Sequence, residues 1–270
     1  MLFGPSLTFN DFDYCLVHMC ERDPEYLQFY IDRAKKGRTV FLDNSVFELG
    51  ESVTADFLLK YAKMINPTHI VPPDVLHNGP ATTASVESFI ARMKEENLEY
   101  KVIAVVQGKT EKEYFECYSK LVNNPDVSVI AIPYDILFYD DELIPKHGKN
   151  VIRFVDARHK LIDRLIESGI INEEKHHHLL GCSDPIEFTR YRDGDKYDFV
   201  VSVDTSCPII HGYFDMKIDY LRGLDGKKKK DLLADNLDVK LTIKQMQCIL
   251  YNIEVFKYLV TQEKWNAKER

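Results

Sequence analysis

Seven short runs rich in β-branched and aromatic residues recur along the chain, and amphipathic stretches separate them. The runs are "YCLVHMC" (14–20), "TVFLDNS" (39–45), "THIVPPDVL" (68–76), "KVIAVVQG" (101–108), "VSVIAIPYD" (127–135), "HHLLGCS" (177–183) and "FVVSVDTS" (199–206). Between them "PEYLQFYIDRAKKG", "TADFLLKYAKMI", "ATTASVESFIARMKEEN" and "EKEYFECYSKLV" carry apolar residues at helical spacing. Strands that repeatedly alternate with helices run the same way, because a helix-length crossover returns the chain to the edge it left. The pattern therefore predicts an α/β protein with a parallel sheet. A length of 270 residues suits one such domain over 1–270 and is short for two.

An open doubly wound sheet and a single (β/α)8 TIM-like barrel both fit seven such units, the barrel's eighth strand being irregular or hidden near "KIDYL". The polar residues favour the barrel. Asp43, Asp74, Gln107, Asp135, Ser183 and Asp204 fall at the C-terminal ends of six different runs, where a barrel assembles its active site. An open sheet would concentrate its site at one switch point and place a glycine-rich loop after the first strand, but "ERDPEY" follows the first run.

Composition narrows the function classes. Hydrophobic residues at 45% and charged residues at 29% describe a globular chain, and no run approaches the length of a bilayer span. The start "MLFGPSLTFNDFDY" lacks the basic and apolar regions of a signal peptide, so a cytoplasmic protein is expected, in the host cytoplasm if the source is viral. Six scattered cysteines without a C-x-x-C pair imply reduced thiols rather than a disulfide framework or zinc module. A net charge of −8 argues against a generally basic surface, although Lys227, Lys228, Lys229 and Lys230 make one local basic strip.

A lone strand-end aspartate is commonly a helix cap or loop acceptor. Three at three strand ends repel one another unless a ligand or a shifted pKa relieves them, which makes Asp43, Asp74 and Asp204 a candidate site. The run "KHHH" offers a competing metal candidate, since alternation would place His176 and His178 on one face. Its position before a strand, however, predicts a solvated edge, and no metal is expected.

The segments "FLDNSVFELG", "VPPDVL", "IAVVQG", "HLLGCSDP" and "VDTSCP", in this order, resemble the tRNA-guanine transglycosylase superfamily. The likeness extends over residues 14 to 260, because "LTIKQMQCILYNIEVFKYL" is similar to that family's closing helix, expected here at 241–260. Family members exchange a guanine base for a 7-deazaguanine, and some compact members, many of them from phages, modify DNA rather than tRNA. The resemblance implies that Asp204 is the nucleophile on the sugar C1′, with Pro208 at the family's downstream spacing. Asp43 would move protons on the departing and incoming bases, and Asp74 with Gln107 would read the purine edge. Asn44, Phe47, Gly108, Pro133, Tyr134 and Gly181 would complete the base pocket, Phe47 by stacking unless it is simple core. Lys227 to Lys230 would contact phosphates, within a nucleic-acid-contacting insertion at 207–240.

The chain also departs from the family. "DNSVFE" replaces a longer glycine-bearing loop, "AIPYD" stands at the main-chain base contact, and the C-x-C-x-x-C plus histidine zinc site is absent from the sequence. No cofactor is expected. The partners implied are DNA in preference to tRNA and a 7-deazaguanine base, with no membrane; a homodimer is compatible with the reading. A metal-dependent barrel hydrolase and a noncatalytic binding module of the same fold remain as alternatives, the former disfavoured because the strand ends carry mostly carboxylates.

Overall fold

The computed structural model describes residues 10–148, 151–182, 184–191, 194–219 and 240–266. Its strands are β1 (Asp13–Leu16), β2 (Val40–Asp43), β3 (His69–Ile70), β4 (Lys101–Val105), β5 (Val127–Pro133), β6 (His176–Leu180) and β7 (Val200–Val203). Among the described residues they form one seven-stranded sheet in sequence order, and the pairings from β1 to β5 are parallel. The α/β class with a sequential parallel sheet is as the alternation predicts. The helices are α1 (Val17–Arg22), α2 (Pro24–Lys35), α3 (Val46–Leu49), α4 (Ala55–Ile65), α5 (Gly79–Glu95), α6 (Glu111–Val122), α7 (Asp140–His147), α8 (Ile152–Glu167), α9 (Gly194–Tyr197), α10 (Cys207–Tyr213) and α11 (Ile243–Asn266). A 3₁₀ segment spans Pro185–Tyr191. None of the helices among the described residues is long and apolar enough to cross a membrane.

The chain divides into two compact units. One comprises Asn10–Pro133 and Leu165–His178; the other includes Tyr134–Arg164 and Leu179–Arg270. Strand β6 begins in the first and ends in the second.

In the first unit the sheet is covered by helices with well-defined starts. Asp23 accepts from the amides of Glu25 and Tyr26 and precedes Pro24, so α2 begins with a side-chain cap and a proline that lacks only an orphan N–H. Thr54, Asn78 and Thr110 cap α4, α5 and α6 in the same way. All four residues of β2 are buried, as in a parallel strand enclosed on both faces. Leu42, Ile70, Ile103 and Ile130 from the strands and Leu58, Tyr114, Tyr118 and Leu121 from the helices are all essentially inaccessible.

Several expected boundaries move for physical reasons. The first run yields only three strand residues, Tyr14 to Leu16, because Val17 begins α1, whose Val17, Met19 and Cys20 are buried; a short apolar run reads alike as strand or buried helix. The third run keeps two strand residues, since Pro72 and Pro73 follow one residue later and cannot donate to a ladder. No eighth strand occurs among the described residues; Asp219, in "KIDYL", forms an isolated bridge.

The histidine run is not the solvated edge it suggested. His176, His177 and His178 lie within β6, and the last two are fully buried. The Lys175 carbonyl can only accept, so His177 Nδ1 donates to it at 2.8 Å and Nε2 accepts from the Tyr118 hydroxyl at 2.8 Å. Burial pushes the His177 pKa down to about 4, keeping the ring neutral. His178 packs against Phe12, Tyr14 and Phe41. Core packing thus accounts for two of the three rings, and no cluster of three or more potential metal-ligating His, Cys, Asp or Glu side chains exists among the described residues.

Gly108 has a steric role. A Cβ there would lie 2.5 Å from the Tyr114 amide nitrogen and 2.6 Å from its Cα, so α6 packs directly onto this backbone. Gly108→Ala is expected to cost about 2 kcal/mol by overpacking against main chain that cannot step aside. Urea unfolding checks this; an unchanged midpoint would show that α6 can shift freely.

In the second unit α10 packs on α11, with Gly212 so close that a Cβ would meet the Ile249 amide nitrogen at 2.6 Å. Asn252 ties the two together by donating to Pro208 O and Met216 O and accepting from Ile218 N. A helix does occupy the segment expected at 241–260: α11 starts two residues later and is longer.

Candidate functional site

Each candidate strand-end residue that the structure describes does follow the C-terminal end of a strand. Asp43 ends β2, Asp74 lies just past β3, Gln107 just past β4, Asp135 just past β5, and Asp204 directly after β7. Parallel strands make this systematic: the chain leaves every strand on the same edge before turning into a helix.

In the first unit, Asp43, Asn44, Asp74 and Gln107 form one buried polar cluster. Asp74 is 2% exposed and accepts from Asn44 Nδ2 at 2.7 Å through one oxygen and from Gln107 Nε2 at 2.7 Å through the other. Its amide donates to Ser52 Oγ at 3.0 Å, and the Ser52 hydroxyl returns a bond to the Asp74 carbonyl. Gln107 Oε1 accepts from the His77 amide at 3.0 Å. The carboxamide orientation is thereby set: nitrogen toward the carboxylate, oxygen toward the backbone. The sequence-predicted pair Asp74 and Gln107 is thus in direct contact, and Asn44 joins it while also donating to Pro72 O at 2.7 Å.

Asp43 is nearly as enclosed, at 8% exposure. Its oxygens accept from the Tyr14 hydroxyl and the Ser45 amide, each at 2.8 Å. Burial, aided by the charges of Glu48 and Asp74, pushes its pKa up to about 7 against the pull of those two hydrogen bonds. A carboxyl poised at neutrality can both give and take a proton. Ser45 sits at φ 61°, a left-handed conformation unusual for a residue with a side chain, and this turn aims its amide back at Asp43.

Phe47 lies on α3 with 49% of its surface exposed, so the simple-core alternative for this ring is set aside. Gly108, as described above, is held by its contact with α6.

In the second unit, Asp204 accepts from the Gly181 amide at 2.7 Å, and its own amide donates to Leu179 O at 3.4 Å. Gly181 adopts φ +69°, and a Cβ there would meet the Tyr134 ring at 2.9 Å, so both conformation and space require glycine. The Tyr134 amide donates to Leu180 O at 3.1 Å. Behind this turn Arg158, wholly buried, forms a two-pronged ion pair with Glu187, at 2.7 Å for each prong. Burial disfavours the guanidinium charge, but the Glu187 carboxylate outweighs it and raises the Arg158 pKa. In the first unit, Pro133 is the buried last residue of β5.

Lys227, Lys228, Lys229 and Lys230 lie outside the described residues, as does Ser183. All six cysteines are free and buried. Sequence reasoning missed Tyr14, Ser45, Ser52, Arg158 and Glu187. Ser45, two residues beyond an aspartate and just before a helix, could have been suspected; an arginine inside an amphipathic helix gives no such signal.

Neither protein-family models nor characterised proteins match this chain.

Proposed function

We propose that the protein is a nucleic-acid guanine transglycosylase that exchanges guanine in DNA for a 7-deazaguanine base, on a TIM-like (β/α)8 barrel. The observation that carries the reading is the Asp43 carboxyl, buried and poised near pH 7 beside the linked Asp74, Asn44 and Gln107. A carboxylate can accept from the amide and amino donors of a guanine edge and a carboxamide can supply the complementary groups, in exchange for the bonds that Asp74, Asn44 and Gln107 now make to one another. Strands in sequence order, with polar residues after their C-terminal ends, support the barrel.

In the proposed reaction Asp74 and Gln107 recognise the base and Asp204 is the nucleophile. An Asp204 oxygen bonds to the sugar C1′ as the C1′–N9 bond breaks; the electron pair leaves with guanine, which takes a proton from Asp43. The incoming base then gives its N9 proton to Asp43, and N9 displaces the Asp204 carboxylate from C1′. Two displacements retain the anomeric configuration, as in retaining glycosidases. Phe47, Gly108 and Pro133 would border the base, and Lys227 to Lys230 would grip phosphates. DNA is preferred over tRNA because the sequence has no C-x-C-x-x-C motif of the kind that supports tRNA docking.

The test is incubation with an isotopically labelled 7-deazaguanine and either duplex DNA or tRNA, followed by nucleoside mass spectrometry. Label in DNA supports the proposal, and label only in tRNA transfers it to that substrate. Asp74→Ala is expected to weaken guanine binding roughly tenfold to a hundredfold, measured by calorimetry on protein whose circular dichroism is unchanged. Undiminished affinity would remove Asp74 from the base site.

A second reading is a noncatalytic base-binding protein, favoured by the closed hydrogen bonding of Asp74, Asn44 and Gln107, which resembles a buried structural network. Base binding without incorporation into either nucleic acid would establish it.

A further inference from the structure

We propose that Arg158 is a positioning residue for the Asp204 carboxylate, acting through the single peptide group that joins Leu180 to Gly181. The inference rests on the reading of Asp204 as nucleophile. The Leu180 carbonyl accepts from Arg158 Nη1 and from the Tyr134 amide, both at 3.1 Å, while the N–H at the other end of the same amide donates to Asp204 Oδ1 at 2.7 Å. A peptide group is planar, so fixing its oxygen fixes the direction of its hydrogen. Donors on the oxygen also draw electron density from the amide nitrogen and strengthen its N–H as a donor, the cooperative effect of chained hydrogen bonds in a low-dielectric interior.

Arg158 is suited to this task in a way lysine is not. Its guanidinium places two bonds on Glu187 and two on successive carbonyls, of Leu180 and, at 2.9 Å, of Gly181. Only a planar fork of donors reaches all four acceptors at once. The Tyr191 hydroxyl donates to Glu187 Oε1 at 3.0 Å and steadies the carboxylate from the far side. Two charge-assisted donors are thus delivered to the backbone of the turn that orients the Asp204 carboxylate. The left-handed φ of Gly181 and the Tyr134 ring against it keep that turn from rotating away.

Arg158→Met alone would strand a buried Glu187 carboxylate and risk unfolding. The variant for the test is therefore Arg158→Met/Glu187→Leu, which removes both charges and keeps an apolar filling. Two measurements are made. In ¹⁵N-glycine-labelled protein, with only 12 glycines to resolve, the Gly181 amide is identified by its movement in Asp204→Asn. It is expected to move upfield in the double variant. Formation of a covalent species with a guanine-containing DNA oligonucleotide is expected to slow roughly tenfold to a hundredfold, while guanine affinity is unchanged. A folded double variant that keeps either the Gly181 shift or the rate of adduct formation overturns the inference. If the unmodified protein forms no adduct at all, the transglycosylase reading fails, and the Gly181 shift alone decides whether Arg158 positions the carboxylate.

Discussion

Asp204→Asn is expected to abolish the covalent protein–DNA species and to lower base exchange by on the order of a thousandfold or more. An asparagine has nearly the same size, and its side-chain oxygen can still accept the Gly181 amide, so the turn after β7 is preserved while the negative charge that attacks C1′ is lost. The species is trapped with a guanine-containing oligonucleotide and 9-deazaguanine, which carries carbon in place of the nitrogen that would re-form the glycosidic bond. It should survive denaturing electrophoresis, and peptide mass spectrometry should place the sugar on the segment containing Asp204. An adduct that forms as readily in the Asp204→Asn variant, or one that maps to Asp43 or Asp198, would identify a different nucleophile.

The second large effect is on pH dependence. Asp43 titrates near 3.8 in an unfolded chain and at about 7 in the fold, so between these values the folded state binds the extra proton. Stability from this group is therefore complete below the lower value and is lost as pH rises through the upper one. Over the whole interval the loss amounts to about 4 kcal/mol as an upper bound. Asp43→Asn removes the titration. Relative to the unsubstituted protein it is expected to gain stability steadily from about pH 5 to about pH 7 and to level off above that, as read from urea unfolding from about pH 5 to about pH 8. Parallel profiles would show that Asp43 ionises in the fold as readily as in water. Adduct formation should fall above pH 7 in the parent for the same reason, as the proton for the leaving guanine is lost.

The alternation of β-branched runs with helical patterns made the α/β class and the sheet order legible, because each βα unit is local in sequence. Helix α6 is found at the residues its periodicity marks, helped by Thr110 as its cap. The strand ends were less legible: Pro72 and Pro73 shorten β3 without disturbing the apolar run, and Val17 to Cys20 bury as well in a helix as in a strand. In the candidate site, Asp74 and Gln107 were visible as strand-end polar residues, and their mutual contact follows from the adjacency of β3 and β4. Tyr14 and Arg158 were not, since their partners lie 29 residues away in each case, and nothing local in either segment announces the meeting. The misread histidines have the same origin. Burial of His177 depends on Tyr118, 59 residues earlier, so a polar-looking tripeptide concealed two core positions.

The divided make-up of the first unit bears on how the protein is born. A ribosome releases Asn10–Pro133 first, then a stretch that belongs elsewhere, and only afterwards Leu165–His178, which the earlier portion still lacks. Until that late piece emerges, the Asn124 and Val127 carbonyls have no Lys175 to receive, and the Tyr118 hydroxyl has no His177. The nascent domain must wait, unfinished, through the synthesis of α7 and most of α8. For the same reason no single cut in the gene yields either unit entire: each would have to be pieced together from separate segments of the coding sequence.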